Sequence, residues 1–281
     1  MASWEVSDAF WQRVEPLVPP RPARPSKHKY RRRPGGGRKP IEPRVVFEAI
    51  VYVLRTGCQW KALPEERFGS ASAIHKRFLE WERAGFFLAL WRAGLAEYDE
   101  MEGIAWRWQS VDGALFKAPL AQESVGPNPT DRGKKGGSKR MLLVDARGIP
   151  LSIIVTAANH HDVTQLEPVL DAIVARRPRV RAYHRQHLCA DAGFRGAPAE
   201  QAIRRRRYTP HVRSRVEERR TKKQYPARRW VVEVAHSWFN RFRKLLVRYE
   251  KTHRSFMALN MLAAAIISFR HVPARVNIIY G

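Results

Sequence analysis

Residues 139–159 read KRMLLVDARGIPLSIIVTAAN. Two apolar, β-rich runs flank Ala146-Arg147-Gly148, the pattern of an antiparallel hairpin closed by a turn. A lone hairpin is marginal in water, so this stretch commits the chain to a larger sheet. WRWQSVDGALFK, upstream, reads as a first strand; HLCADAGF reads as a fourth, and YTPHVR as a short one. Helices fall between and after them. DVTQLEPVLDAIV has Asp162 as N-cap and Gln165 completing a capping box. PAEQAIRRRR is a short helix, RRWVVEVAHSWFNRFRKLLVRYEK one long helix, and SFMALNMLAAAIISFRHV the last.

Three antiparallel strands, then helix, strand, helix, strand and helix, give an α/β plan with one mixed sheet over residues 105–272. That is the order of a ribonuclease H-like fold. Ahead of it, residues 1–18 form a short helical segment, and residues 44–98 read as helical. Phe47, Ile50, Val51 and Leu54 fall at i, i+3, i+4 and i+7, and Gly57 follows as a stop. A second helix starts near Ser70 or Ser72, with Ile74, Phe78 and Trp81 on one face. Ser72, His75, Lys76, Glu80 and Arg83 lie on the other. Two helices across a turn, the second polar and basic outside, suit a helix-turn-helix DNA reader; a plain amphipathic surface helix fits the same pattern. Residues 19–43 are Pro, Gly and Arg with almost no apolar content, a flexible basic arm.

Charge narrows the partners. The chain carries 52 Lys plus Arg against 26 Asp plus Glu, with a pI of about 11.0. Such a field attracts polyanions, nucleic acid first. MASWEVSDAFWQRVEP has acids and no apolar core, unlike a signal peptide. The longest apolar run, MALNMLAAAIISF, is too short to span a bilayer, so no membrane partner is expected. The two cysteines, Cys58 and Cys189, stand in no paired motif, which fits a reducing cytosol rather than a disulfide framework or a zinc site.

Three acids have apolar neighbours. Asp112 sits mid-strand, where Asp is depleted and a buried carboxylate is costly unless paired. Asp191 ends the fourth strand, where an Asp is usually a turn or cap residue. Glu233 lies in the Val-rich helix four residues after Arg229, where a Glu usually forms an i,i+4 ion pair. In this topology the first and fourth strands are neighbours and the long helix crosses the sheet, so the three carboxylates can meet at one edge. Oxygen donors without His or Cys suit Mg²⁺ or Mn²⁺. Arg229, Glu233, His236 and Asn240 share one helix face; His236 reads better as a packing residue than as a ligand. His160 and His161 read as loop residues before a helix.

SVDGALFKAP, DRGKKGGSKRMLLVDARGIPLSIIVTAANHHD, ADAGFRG and RRWVVEVAHSWFNRFRKLLVRYEK together resemble the DDE transposases of bacterial insertion sequences, in the branch grouping insertion sequences four and five. GCQWKALPEERFGSASAIHKRFLEWERAGFF resembles that branch's N-terminal helical domain, so the likeness covers nearly the whole chain. It implies a metal-binding triad of Asp112, Asp191 and Glu233 with two Mg²⁺ or Mn²⁺ ions. The family pattern around its Glu has a Tyr, an Arg four positions before and a Lys seven after. Arg229 fits the Arg. Tyr225 is one residue further upstream than the pattern asks, and Asn240 holds the Lys position with Arg241 beside it.

The resemblance implies an enzyme of the bacterial nucleoid that binds double-stranded DNA, both the element's terminal inverted repeats and the target, and acts as a homodimer on DNA. It would cut and join strands. A metal nuclease without strand transfer and a non-catalytic DNA-binding derivative are the alternatives. The expected DNA contacts are Arg31, Arg32, Arg33, Arg38 and Lys39 in the arm, and His75, Lys76 and Arg83 on the second helix. Lys134 and Lys135 in the Gly-rich loop Asp131–Arg140, and Arg229, Asn240 and Arg241 around the Glu helix, complete them. The Lys- and Arg-dense stretch Arg204–Arg229 reads as a further DNA track.

Overall fold

The computed structural model describes residues 5–21, 39–212 and 228–272. Arg31, Arg32, Arg33, Arg38, Tyr225 and most of Arg204–Arg229 lie outside them. The N-terminal part is helical. α1 (Asp8–Val14) is capped by the Ser7 hydroxyl, which accepts from the Phe10 amide at 3.1 Å. α2 (Pro43–Thr56) begins on a proline, whose missing N–H is no loss in a first turn, and stops at Gly57, φ 75°. α3 (Glu65–Phe68), α4 (Ala71–Arg83) and α5 (Phe86–Glu102) follow.

The sheet has six strands: β1 (Trp108–Lys117), β2 (Gly126–Pro127), β3 (Gly136–Val144), β4 (Pro150–Ala157), β5 (Gln186–Ala190) and β6 (Tyr208–Val212). β4 and the short β2 pair antiparallel with β3, and β3 pairs antiparallel with β1. β1 to β5 and β5 to β6 are parallel. The order across the sheet is therefore β4-β3-β1-β5-β6, the ribonuclease H-like arrangement expected from the order of elements. α6 (Asp162–Asp171) and α7 (Ala197–Arg205) follow β4 and β5; α8 (Trp230–Asn240) and α9 (His253–Arg270) close the fold.

The hairpin turn is built around Asp145, which is wholly buried. Its carboxylate accepts from the amides of Arg147 and Ile149, each at 2.9 Å, and of Ala105 at 3.0 Å. Three backbone donors satisfy this acid, so it needs no other partner. Gly148, φ 89°, lets the turn approach α8: a Cβ there would lie 3.1 Å from the Trp238 ring.

Side chains alternate along β1. Ser110 and Asp112 point to the α8 side, where the Ser110 hydroxyl donates to the Arg228 carbonyl at 3.1 Å. Gly113 points to the α6 side, towards Met141, Lys139 and Asp162.

Four expectations change. Asp162 is not the cap of α6; His161 takes that position without a side-chain bond, and Asp162 begins the helix. Its carboxylate instead pairs with buried Lys139, whose ammonium also donates to the His160 carbonyl at 2.6 Å. A charge-assisted bond to a buried ammonium outweighs a cap. Gln165 bonds Thr164 rather than closing a box.

The long helix ends at Asn240. A 3₁₀ turn, Arg243–Leu245, follows and docks on the end of α2, where a Cβ on Gly57 would lie 3.0 Å from Arg243. Lys244, buried there, pairs with Glu250 at 3.3 Å and donates to the Cys58 carbonyl at 3.1 Å. The Arg248 amide then bonds the Lys117 carbonyl at 2.8 Å. These tertiary contacts displace the helical continuation.

The Gly-rich loop is shorter than Asp131–Arg140, because β3 already begins at Gly136. The turn-rich connector WKALPEERFGS between α2 and α4 is itself partly helical, holding a 3₁₀ turn and α3; it is longer than a helix-turn-helix turn of about 3–4 residues.

The helical part and the sheet share one core. α5 lies along α9, close enough that a Cβ on Gly94 would sit 3.0 Å from the Phe269 ring. Phe10 meets Phe269 edge-on at 5.3 Å, and the Trp91 indole donates to the Pro150 carbonyl at 3.3 Å. α9 is apolar nearly all round because it is enclosed by these helices and by β4.

Candidate active site

β1 and β5 run side by side, with Ser110 beside Cys189. Asp112, two residues on, and Asp191, just past the end of β5, therefore come to the same end of the sheet. Asp191 caps a 3₁₀ turn, its carboxylate accepting from the Gly193 amide at 2.7 Å. Asp112 accepts from the Gly113 amide at 2.8 Å.

Burial raises the Asp112 carboxyl to about 6. The Gly113 amide opposes the rise, the charges of Asp191 and Asp162 add to it, and Arg229 opposes it. Asp162 is the acid the sequence did not single out for the site. Its carboxylate lies 3.4 Å from where a Gly113 Cβ would be and 3.7 Å from where one on Gly193 would be. It follows β4, which β3 separates from β1, so its approach to the site depends on α6 packing over β3 and on the Lys139 pair, which strand order alone does not give.

Glu233 stands on α8 with its side chain 56% exposed, 3.6 Å from the Arg229 guanidinium. Arg229 is thus within electrostatic reach of both Glu233 and Asp112. Among the described residues no group of three or more His, Cys, Asp or Glu side chains is drawn close enough to hold a metal ion. Asp112 and Asp191 come to one end of the sheet, and Glu233 pairs with Arg229.

Behind the site, Arg140 is fully buried under the Phe239 ring, 4.4 Å from its centroid. Its guanidinium bonds Asn260 and the His236 Nδ1, each at 3.3 Å. Burial, with repulsion from Arg140, pushes His236 down to about 3, against a small opposing effect of the Asp112 backbone carbonyl. That carbonyl does not meet hydrogen-bond geometry, and Nε2 is buried without a bond. His236 is therefore a neutral packing residue, not a proton carrier near neutral pH.

The other candidate residues scatter. Lys39, Lys76, Arg83, Lys134, Lys135, Asn240 and Arg241 are exposed. His75 is half-buried, its ring 4.9 Å from that of Trp60, and burial lowers its pKa. Cys58 and Cys189 are both free thiols, and no described helix is long and apolar enough to cross a membrane.

Residues 109–268, more than half of the chain, match the family described as "Transposase DDE domain". The chain belongs to the DDE transposase family. Residues 6–91 match a second family, "Putative transposase of IS4/5 family". A relative from Burkholderia cepacia, "Putative transposase for insertion sequence element IS402", is 39% identical over 148 residues, 48% of this chain and 65% of that protein. The match thus spans just under two thirds of the relative. The "Insertion element IS402 uncharacterized 16.2 kDa protein" of the same organism is 32% identical over 130 residues, 46% of this chain and 84% of that protein.

Among solved structures, the Mos1 mariner paired end complex with Mn aligns with a TM-score of 0.28 and 11% identity, covering 95% of this chain and 87% of that one. The Mos1 catalytic domain gives 0.28 and 10%, over 69% and 92%. At these scores the likeness says nothing of the site.

Proposed function

We propose that the chain cuts and joins DNA at the ends of an insertion sequence, with Asp112, Asp191 and Glu233 as its acids. The observation that carries this is Asp112. It is a mid-strand carboxylate, desolvated and repelled by Asp191, with one backbone amide as its hydrogen bond. Asp145 shows what a structural acid in this fold looks like: three amides and complete burial. Asp112 and Asp191 lack that satisfaction, and paired hard oxygen donors fit Mg²⁺ or Mn²⁺. Glu233 would join them on giving up Arg229. When bound, the metal would supply activation of the attacking oxygen and stabilisation of the leaving one.

The residues of the chain supply the rest. Arg229, released from Glu233, is placed beside the carboxylates to meet a phosphate. Neutral His236 and Arg140 hold α8 on the sheet without entering the reaction. In the first step water attacks the phosphodiester at the element end, and a 3′-hydroxyl leaves. In the second that hydroxyl attacks a target phosphodiester; one P–O bond forms and one breaks. No protein–DNA covalent bond is required. Terminal inverted repeats would be read by the helical part, with Lys76 and Arg83 outward on α4. Two chains, one per DNA end, would bring both 3′-hydroxyls to the target.

The test is cleavage of labelled end DNA in Mg²⁺ by Asp112→Asn, Asp191→Asn and Glu233→Gln. Each is expected to lose cleavage and keep DNA binding. Near-wild-type cleavage by any one would remove that residue from the set.

A further inference from the structure

Ahead of β5, the loop 172–185 runs along the end of the sheet opposite Asp191 and walls a cleft of about 1240 Å³. Five exposed arginines line it: Arg107, Arg176, Arg179, Arg181 and Arg185. No aspartate or glutamate does. Like charges crowded this way repel unless an anion joins them.

The cleft has a fixed wall. Arg177 lies 3.5 Å over the Tyr208 ring, donates to the Gln186 side chain, and donates to the Arg206 carbonyl at 2.8 Å. Tyr183, 73% exposed, stands among the arginines and accepts from Arg181 at 3.1 Å. A second cleft of about 440 Å³ continues the first, sharing Arg181 and Arg185 and adding Arg204 and Arg207.

This surface joins the active-site face. His187 lines the cleft and stacks on Trp108, ring centroids 4.3 Å apart. Arg228 covers Trp108 at 4.7 Å, and the next residue is Arg229. At about 3.3 Å per residue, Gln186 lies roughly 17 Å from Asp191 along β5. That is about five base-pair steps of B-DNA.

We propose that this cleft binds the phosphodiester backbone of DNA about half a helical turn from the phosphodiester that reacts beside Asp112 and Asp191. The proposal rests on the reading of the chain as a DNA-cutting enzyme. A line of exposed arginines running over two clefts matches a regular polyanion, and an exposed tyrosine among them offers a base a stacking surface. An acidic protein partner is the competing occupant.

The experiment measures affinity of the full chain for a DNA duplex of about 30 base pairs, and for a single strand of equal length, across salt concentrations. Arg176→Ala/Arg179→Ala/Arg185→Ala is compared with the corresponding triple Lys variant, and thermal melts check folding. Each lost phosphate contact lowers the slope of log affinity against log salt by about 0.9 on duplex. The Ala variant is expected to lose about two to three in slope and at least tenfold in affinity at about 150 mM salt; the Lys variant is expected to keep most of both. Loss on duplex and single strand alike assigns the cleft to the backbone. A larger loss on single strands, deepened by Tyr183→Ala, adds base stacking. Should the triple Ala variant not fold, Arg179→Glu and Arg176→Glu singly carry the same expectation. Wild-type affinity and slope on both DNAs in folded variants would overturn the proposal and leave the acidic protein as occupant. Asp112→Asn separates the two readings. If it cleaves like wild type, the active-site assignment fails while the salt slopes still decide the cleft.

Discussion

Asp112 is the residue on which most turns, and its protonation makes it testable without DNA. Its folded pKa, about 6, lies above the ordinary carboxylate value of 3.8. A carboxyl whose pKa rises on folding favours the fold while protonated. Its contribution is present below pH 3.8 and is lost as pH rises through about 6. Asp112→Asn keeps the acceptor for the Gly113 amide and removes the charge. In metal-free buffer at pH 7.5 the variant should be more stable than wild type by about 2–3 kcal/mol, with the gain gone near pH 4. Urea melts at the two pH values check this; equal stability at pH 7.5 would mean Asp112 is not desolvated. Mn²⁺ should raise the wild-type melting temperature and do so less for the variant, because a ligand bound only by the native state stabilises it.

Glu233→Gln belongs to the same scale. The Glu233 side chain is more than half exposed and its pair with Arg229 is long, 3.6 Å, so the loss of stability should be under about 1 kcal/mol, while cleavage disappears. A large loss of stability with cleavage retained would make Glu233 a structural ion pair and nothing more.

These residues were legible in unequal degree. Asp112 stood out because no cap or turn explains an acid in mid-strand. Asp191 and Glu233 each had a bland alternative, and the structure shows both alternatives formed: a capped turn and an i,i+4 pair. Helical spacing placed His236 with Glu233, but the edge of the buried stripe passes between them, and only the position of Arg140 reveals that.

At the scale of elements, strand order and the hairpin followed from alternation and turn residues. Helix ends did not. The end of α8 depends on Lys244 meeting Glu250 and the Cys58 carbonyl, the latter far away in sequence. The start of α6 depends on Lys139 claiming Asp162. The α5–α9 seam was equally hidden, since Gly94 reads only as a weak helix former. Gly94→Val would push a branched side chain into the Phe269 ring and the Ala265 carbonyl. We expect a loss of about 2 kcal/mol or more, the range of overpacking. Tryptophan fluorescence and far-ultraviolet dichroism should melt together in the variant, because the seam serves both halves of the core. Separate transitions would show the helical part to be an independent unit.

At the scale of the molecule, that shared core sets what truncation can do. Removing residues 1–98 takes most of α5 from α9 and exposes the Phe10 and Trp91 contacts. The remaining chain is expected to lack a cooperative melt rather than to persist as a folded catalytic half; a sharp transition in calorimetry would contradict this. The net charge of +26 opposes pairing of free chains and is relieved by DNA, so two chains are expected per pair of joined ends.

The measurement that reaches the central claim is strand transfer itself. Purified protein, Mg²⁺, labelled DNA bearing the element's own ends and an unlabelled plasmid are incubated, and the products are sized and sequenced. The account predicts label joined covalently to the plasmid through the 3′ end of the element, and none with Asp112→Asn. Cleaved ends that never join would make the protein a nuclease, and intact ends, bound but uncut, would make it a DNA-binding protein; either result contradicts the account.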